Sequence, residues 1–192
     1  MPAPNPPAME FLLSRRSRPA KTLRAPYPAR EYLTPILTAA LRSPDHGKLE
    51  PWRLIVLEKP ALRRLSELAE MRGQSLGLDT DQIEKGVAQF RDSGLAIAVI
   101  FSPKDSPKIP QIEQIYSTGA VCLAALNAAL ASGWGANWLS GWPSHDADFG
   151  TVGLGLSAKE SIAGFIHLGT EAAAPPERPR PDIHSTVTWV RE

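Results

Sequence analysis

The sequence predicts an α+β fold, and three observations carry that prediction. Helical and strand-like periodicities alternate without a regular βαβ rhythm. No segment repeats, which excludes a solenoid or a propeller. One apolar run, LAIAVIF from Leu95 to Phe101, is unbroken enough to need cover on both faces. With 192 residues, 43% hydrophobic and 21% charged, the chain has the balance of one ordinary globular domain.

The elements follow in order. Prolines 2, 4, 6 and 7 mark residues 1–8 as a disordered tail, with a single domain over 9–192. Met9 to Arg16 reads as a short helix, its Arg15-Arg16 suiting the negative C-terminal end. Leu33, Ile36, Leu37, Ala40 and Leu41 recur at helical spacing, with Thr34 expected as N-cap and Pro35 at the first helical position. Pro44 ends that helix by Ser43. Arg53 to Glu58 is a strand, Pro60 opens a helix to about Arg72, and Asp79 to Asp92 is a polar amphipathic helix. The longest element is a helix from Gln111 to Ser132, stopped by Gly133. Its second half is apolar on nearly every side, so it is expected to be buried all round. Gly135 to Gly141 and Ile162 to Leu168 read as strands. A last strand, Thr186 to Val190, lies beyond an extended arm containing Pro175, Pro176, Pro179 and Pro181.

Charge and cysteine content exclude several classes of function. Twenty-one basic and twenty acidic side chains leave +1, so no overall field favours nucleic acid or an anionic membrane. The longest apolar stretch, Gly119 to Ala131, is interrupted by Asn127 and is shorter than the roughly 20 residues that span a bilayer. Cys122 is the only cysteine, which excludes an internal disulfide. Near the N-terminus the basic residues follow the apolar ones, unlike a secretory leader, and a cytoplasmic location is expected. His46, His145, His167 and His184 form no helical pair, so no metal site is expected. Gly153-Leu-Gly155-Leu-Ser-Ala158 follows no strand and fails as a dinucleotide fingerprint. Ser140 lacks the G-x-S-x-G elbow, and Cys122 and His167 read as core.

Four short segments remain. Arg15-Arg16-Ser17 offers two guanidinium forks and a hydroxyl, a set suited to phosphate oxygens, or equally a solvated helix end. Arg42-Ser-Pro-Asp-His46 runs through Gly-Lys48-Leu-Glu50-Pro-Trp52 into a strand and is a loop between rigid elements. It serves either as a binding loop or as a polar connection around a Trp anchor. Gly135-Ala-Asn-Trp138-Leu139-Ser140-Gly141 is a glycine-flanked strand, permitting a ligand's close approach or simply a bulge. Phe165-Ile-His-Leu-Gly-Thr170 ends a buried strand.

Taken together and in this order, the four segments resemble the nitroreductase family of FMN-dependent NAD(P)H oxidoreductases, in its minimal branch, over roughly residues 9 to 190. The resemblance implies a mainly antiparallel central sheet flanked by helices, in an intertwined homodimer with FMN at the subunit interface. It implies that Arg15, Arg16 and Ser17 hold the phosphate and ribityl end. Arg42 and His46 would reach the flavin from the other subunit, and Trp138, Leu139 and Ser140 would lie against its ring. The C-terminal arm would embrace the second protomer. Two positions depart from the family. Lys48-Leu-Glu50 replaces Asn-x-Gln before Pro-Trp, and Leu139 stands where the minimal branch often has arginine. The implied activity is ping-pong hydride transfer from NAD(P)H through flavin N5 to nitroaromatics, quinones or related acceptors, with no side chain as catalytic acid. The alternative is a flavin storage or delivery protein with little turnover.

Overall fold

The computed structural model describes residues 3–191. It is built on a five-stranded, wholly antiparallel sheet in the order β1-β5-β3-β2, with β4 also paired to β5. The strands are β1 (Leu23–Arg24), β2 (Trp52–Glu58), β3 (Leu95–Phe101), β4 (Gly135–Leu139) and β5 (Ser161–Glu171). The helices are α1 (Pro6–Ser14), α2 (Arg30–Ala40), α3 (Lys59–Ser75), α4 (Thr80–Arg91), α5 (Gln111–Ala131), α6 (Ala147–Leu154) and the single turn α7 (Ile183–Thr186).

Alternation along β3 explains the sandwich. Leu95, Ile97 and Val99 face α2 and α5, packing with Ile36, Val121 and Leu126. Ala96, Ala98 and Ile100 face the other way, toward α3, α4 and α6, in a second cluster with Leu62, Phe90 and Phe149. All seven residues are buried, so the unbroken apolarity has its cause in cover on both faces. Strand β5 is the hub: it pairs with β3, with β4 through residues 165–169, and with β1 through its last two residues.

Several expectations need correction. Helix α1 begins at Pro6, capped by Asn5, so it takes in part of the segment expected as tail. Helix α2 begins at Arg30, which makes Pro35 an interior residue and removes Thr34 as its cap. Burial of Leu33 draws the preceding turn into the helix, and packing outweighs the hydrogen bond that Pro35 lacks. Helix α6 occupies a glycine-containing stretch to which the sequence assigned no element, and its Gly155 cap takes the left-handed conformation, φ 66°. Of the strand expected from Thr186 to Val190, Thr186 closes α7 and residues 187–190 pair with no strand among the described residues. Extended backbone needs a neighbouring edge, and this arm reaches none in the single chain.

The fifth correction concerns α5. Its second half was expected to be buried all round, yet Leu123 there is 46% exposed in the single chain, and Ile112, Ile115 and Tyr116 of the first half are 45–68% exposed beside it. By length and composition alone α5 could cross a membrane. Its other face packs on the sheet through Val121, Cys122, Ala125 and Leu126, as a core helix does.

Candidate functional site

Helix α1 ends where the Arg15 N–H bonds the Phe11 carbonyl and Arg15 itself turns to extended backbone. The following residues then lie along β4. The Arg18 N–H donates to the Ala136 carbonyl at 2.8 Å, and the Asn137 amide donates to the Arg18 carbonyl at 2.9 Å. Arg15 Nη2 reaches Ser17 Oγ at 3.2 Å, and Arg16 Nη1 reaches the Ser17 carbonyl at 3.1 Å. Arg15, Arg16, Arg18, Gly135, Trp134 and Glu171 line a cleft of about 280 Å³.

The electrostatics of this cleft are one-sided. Arg18 pairs with Glu171 at 3.2 Å, and Arg180 pairs with Glu177 at 2.9 Å. Arg15 and Arg16 form no ion pair among the described residues, and the Nε of each is buried without a partner. Burial, then the charges of Arg180, Arg16 and Arg18, hold the Arg15 guanidinium below its ordinary value. Crowded cations with unmet donors suit an anion.

Strand β4 continues from the same cleft. Trp138 is 37% exposed and lays its indole over Gly164 of β5, its Nε1 donating to the Ala163 carbonyl at 3.3 Å. Any side chain at 164 would collide with that ring, which is why glycine stands there. Leu139 is half-buried and Ser140 exposed. The first and third sequence segments therefore meet.

The Arg42–His46 segment does not join them. Arg42 is exposed and lines a shallow cleft with Ala120, Leu123, Ala124 and Asn127 of α5. His46 lines another with Glu113, Tyr116 and Ser117, its Nδ1 2.6 Å from Glu113 Oε2. The loop is pinned to α5 through Ser117, whose hydroxyl donates to the Pro44 carbonyl at 2.8 Å and accepts from Trp52 Nε1 at 3.1 Å. Within it Gly47, Lys48 and Glu50 all have left-handed backbone, φ 74°, 54° and 48°. Two of these are not glycine, and such strain collects at functional loops. Arg53 forks onto Glu160 at 2.6 and 3.1 Å, so it does not neutralise Glu50.

Helix α5 measures the separation. Glu113, beside His46, and Leu130, in the Arg15 cleft, are 17 positions apart on it, about 25 Å at the helical rise. Within one chain His46 and the Arg15 cleft lie toward opposite ends of α5, while Arg42 lies against its middle, from Ala120 to Asn127.

Cys122 and His167 are core. Burial pushes the Cys122 thiol up to about 12 and the His167 imidazole down to about 4. His167 Nδ1 lies 2.9 Å from Ser93 Oγ. Among the described residues, no group of three or more potential metal ligands comes together. Sequence reasoning missed Arg18, Asn137, Glu171 and Arg180. Arg18 follows Arg15-Arg16-Ser17 and Glu171 follows Leu-Gly-Thr170, so adjacency could have found those two; nothing in the sequence ties Arg180 to Arg15.

The nitroreductase family model matches residues 12–170. The Escherichia coli K12 protein called "Putative NAD(P)H nitroreductase YdjA" is 35% identical over 164 residues, covering 85% of this chain and 87% of its own. A nitroreductase-like family protein from Bacillus cereus superposes with a TM-score of 0.75 at 23% identity, covering 99% of this chain and 98% of its own. A structure described as a "putative nitroreductase in complex with FMN" from Desulfovibrio desulfuricans gives 0.75 at 19% identity, covering 99% and 100%. The family match and the 35% identity extend over most of the sequence, and the fold agrees with both. The chain belongs to the nitroreductase family.

Proposed function

We propose that the protein is an FMN-dependent oxidoreductase that draws on NAD(P)H, working as a homodimer with an FMN at each of two shared sites. The observation that carries this reading is the pair of half-buried guanidiniums, Arg15 and Arg16, with no ion-pair partner among the described residues. A phosphate monoester carries about −1.5 to −2 at neutral pH, which two such cations match. On this reading Arg15, Arg16 and Ser17 hold the phosphate and ribityl end. Trp138, Leu139 and Ser140 line the ring, with Leu139 contributing mainly backbone. The name of the E. coli relative and the FMN bound to the D. desulfuricans protein support the same cofactor pair.

The split along α5 supports the dimer. A second copy laid on the exposed Ile112, Ile115, Tyr116 and Leu123 would cover an apolar face. It would also bring Arg42 and His46 of the partner subunit to the ring of the flavin held by Arg15. There Arg42 would place fixed positive charge where negative charge develops during reduction. The arm fits the same arrangement: Trp189 and Val190 are about 80% exposed, and the free edge of β2 borders a cleft of about 630 Å³ lined by Leu33, Leu37, Val56 and Leu95. Residues 187–190 of the partner would add a strand there. The single buried Cys122 agrees with a cytoplasmic setting.

Bound FMN would supply hydride transfer from NAD(P)H and onward to a nitroaromatic, a quinone or a related acceptor. The chain positions the flavin and tunes its charge; no side chain at the cleft is suited to act as proton donor, and solvent fills that role. The test is to denature the purified protein and identify the released flavin by chromatography, then to follow NAD(P)H consumption with a nitroaromatic or a quinone. FMN and steady turnover are expected. FAD or no flavin overturns the cofactor, and bound FMN without turnover makes the protein a flavin store.

A further inference from the structure

The cleft at the end of α1 has three buried polar atoms without partners among the described residues: Arg15 Nε, Arg16 Nε and Glu171 Oε1. Buried polar atoms are almost always hydrogen-bonded, and an unmet atom on a charged group is costly. The two Nε–H groups call for an acceptor. Oε1 calls for a donor. The phosphate group of a monoester dianion, which has no proton to donate, satisfies the first demand and not the second.

Glu171 does not face the cleft as an uncompensated charge. Its Oε2 lies 3.2 Å from Arg18 Nε in an ion pair, and both side chains are about a quarter exposed. The pair is close to neutral and leaves one acceptor oxygen spare. Counted with that pair and with Arg180–Glu177, the cleft keeps two uncompensated cations, Arg15 and Arg16. Glu171 is also held rigidly. It ends β5, pairs with Leu23 of β1, and has its backbone packed beside Gly135 of β4. A group fixed on the sheet selects a ligand atom better than one on a mobile loop.

We infer that Glu171 is a further ligand-binding residue, whose Oε1 accepts a hydrogen bond from a hydroxyl carried close to the phosphate held by Arg15 and Arg16. The cleft then recognises a phosphorylated polyol rather than phosphate alone. The inference rests on the FMN reading, in which the ribityl 4′-hydroxyl is the one nearest the phosphate ester.

The experiment compares FMN with 4′-deoxy-FMN, each titrated by flavin fluorescence into flavin-free protein in phosphate-free buffer. The wild-type chain is expected to bind the deoxy compound about tenfold or more weakly, the loss of one hydrogen bond to a charged acceptor. Glu171→Ala loses a similar factor for FMN and no longer distinguishes the two. Glu171→Gln, which keeps a carbonyl acceptor, still prefers FMN. Equal wild-type affinities would overturn the inference and leave the FMN reading standing, and so would a Glu171→Ala chain that still discriminates. Failure of the wild-type chain to bind either compound would overturn the FMN reading and the inference with it.

Discussion

Replacing Arg15 with alanine should move cofactor affinity and protein stability differently. In the flavin-free chain, burial and the charges of Arg180, Arg16 and Arg18 already hold the Arg15 guanidinium below its ordinary value. Removing it relieves that crowding. The loss is one hydrogen bond, 3.2 Å to Ser17 Oγ. The flavin-free variant should therefore melt at or slightly above the wild-type temperature. Its affinity for FMN should fall. A hydrogen bond between charged groups contributes about 1.5–3 kcal/mol, which is roughly ten- to a hundredfold in the dissociation constant. Riboflavin, which lacks the phosphate, serves as the control and should bind both chains alike. Arg15→Lys keeps the charge without the planar fork and should recover only part of the loss. An unchanged FMN affinity in a folded variant, or an equal loss for riboflavin, would return Arg15 to an ordinary solvated helix end.

Three further perturbations test the scaffold. Acid should unfold the protein over two windows. The His167 imidazole is held neutral by burial, to about 4 against 6.5, so the unfolded chain takes up the extra proton and stability falls between pH 6.5 and 4. The Arg53 fork holds the Glu160 carboxyl at about 2 against 4.5, so its contribution is complete above pH 4.5 and is lost toward pH 2. That contribution is about 2 kcal/mol once the 40% exposure of Arg53 is discounted. Urea midpoints unchanged from pH 7 to 4 would contradict the first window. Lys48→Gly should raise stability by about 0.5 kcal/mol, the left-handed cost relieved less the entropy of glycine. A lower urea midpoint would show that Lys48 makes a compensating contact. Gly164→Ala should drive the Trp138 indole off β5, cost about 1–3 kcal/mol and change the tryptophan emission. An unaltered spectrum would mean that the ring does not rest there.

What was legible in the sequence divides by range. The burial of β3 was readable because two apolar faces leave an unbroken run, and α5 was readable from its length and its Gly133 stop. Pro35 misled because a local rule competed with the packing of Leu33, and packing prevailed. Helix α6 was missed because Gly150 and Gly153 weaken the helical pattern. It is held instead by Phe149 stacking on Phe90 at 5.4 Å and by Arg72 gripping Asp146 at 2.7 Å. The site follows the same division. Arg15, Arg16 and Ser17 are contiguous, so their chemistry shows in sequence; Glu171 had only its adjacency to Thr170 as a signal, and Arg180, 165 positions from Arg15, shows only in the fold. The separation of His46 from that cleft is a fact of α5's length, which local sequence does not express.

Subunit complementation addresses the shared site most directly. Chains carrying His46→Ala and chains carrying Arg15→Ala are prepared separately, shown to bind FMN weakly, and mixed under conditions that exchange subunits. Each heterodimer then has one site with both residues intact and one with both replaced. FMN binding and NAD(P)H consumption per chain should rise above either variant alone, toward about a quarter of the wild-type value as an equal mixture exchanges fully, because half the dimers are mixed and each has one intact site. A monomer by sedimentation, or no gain after exchange is verified, would contradict a flavin site built from two copies of this chain.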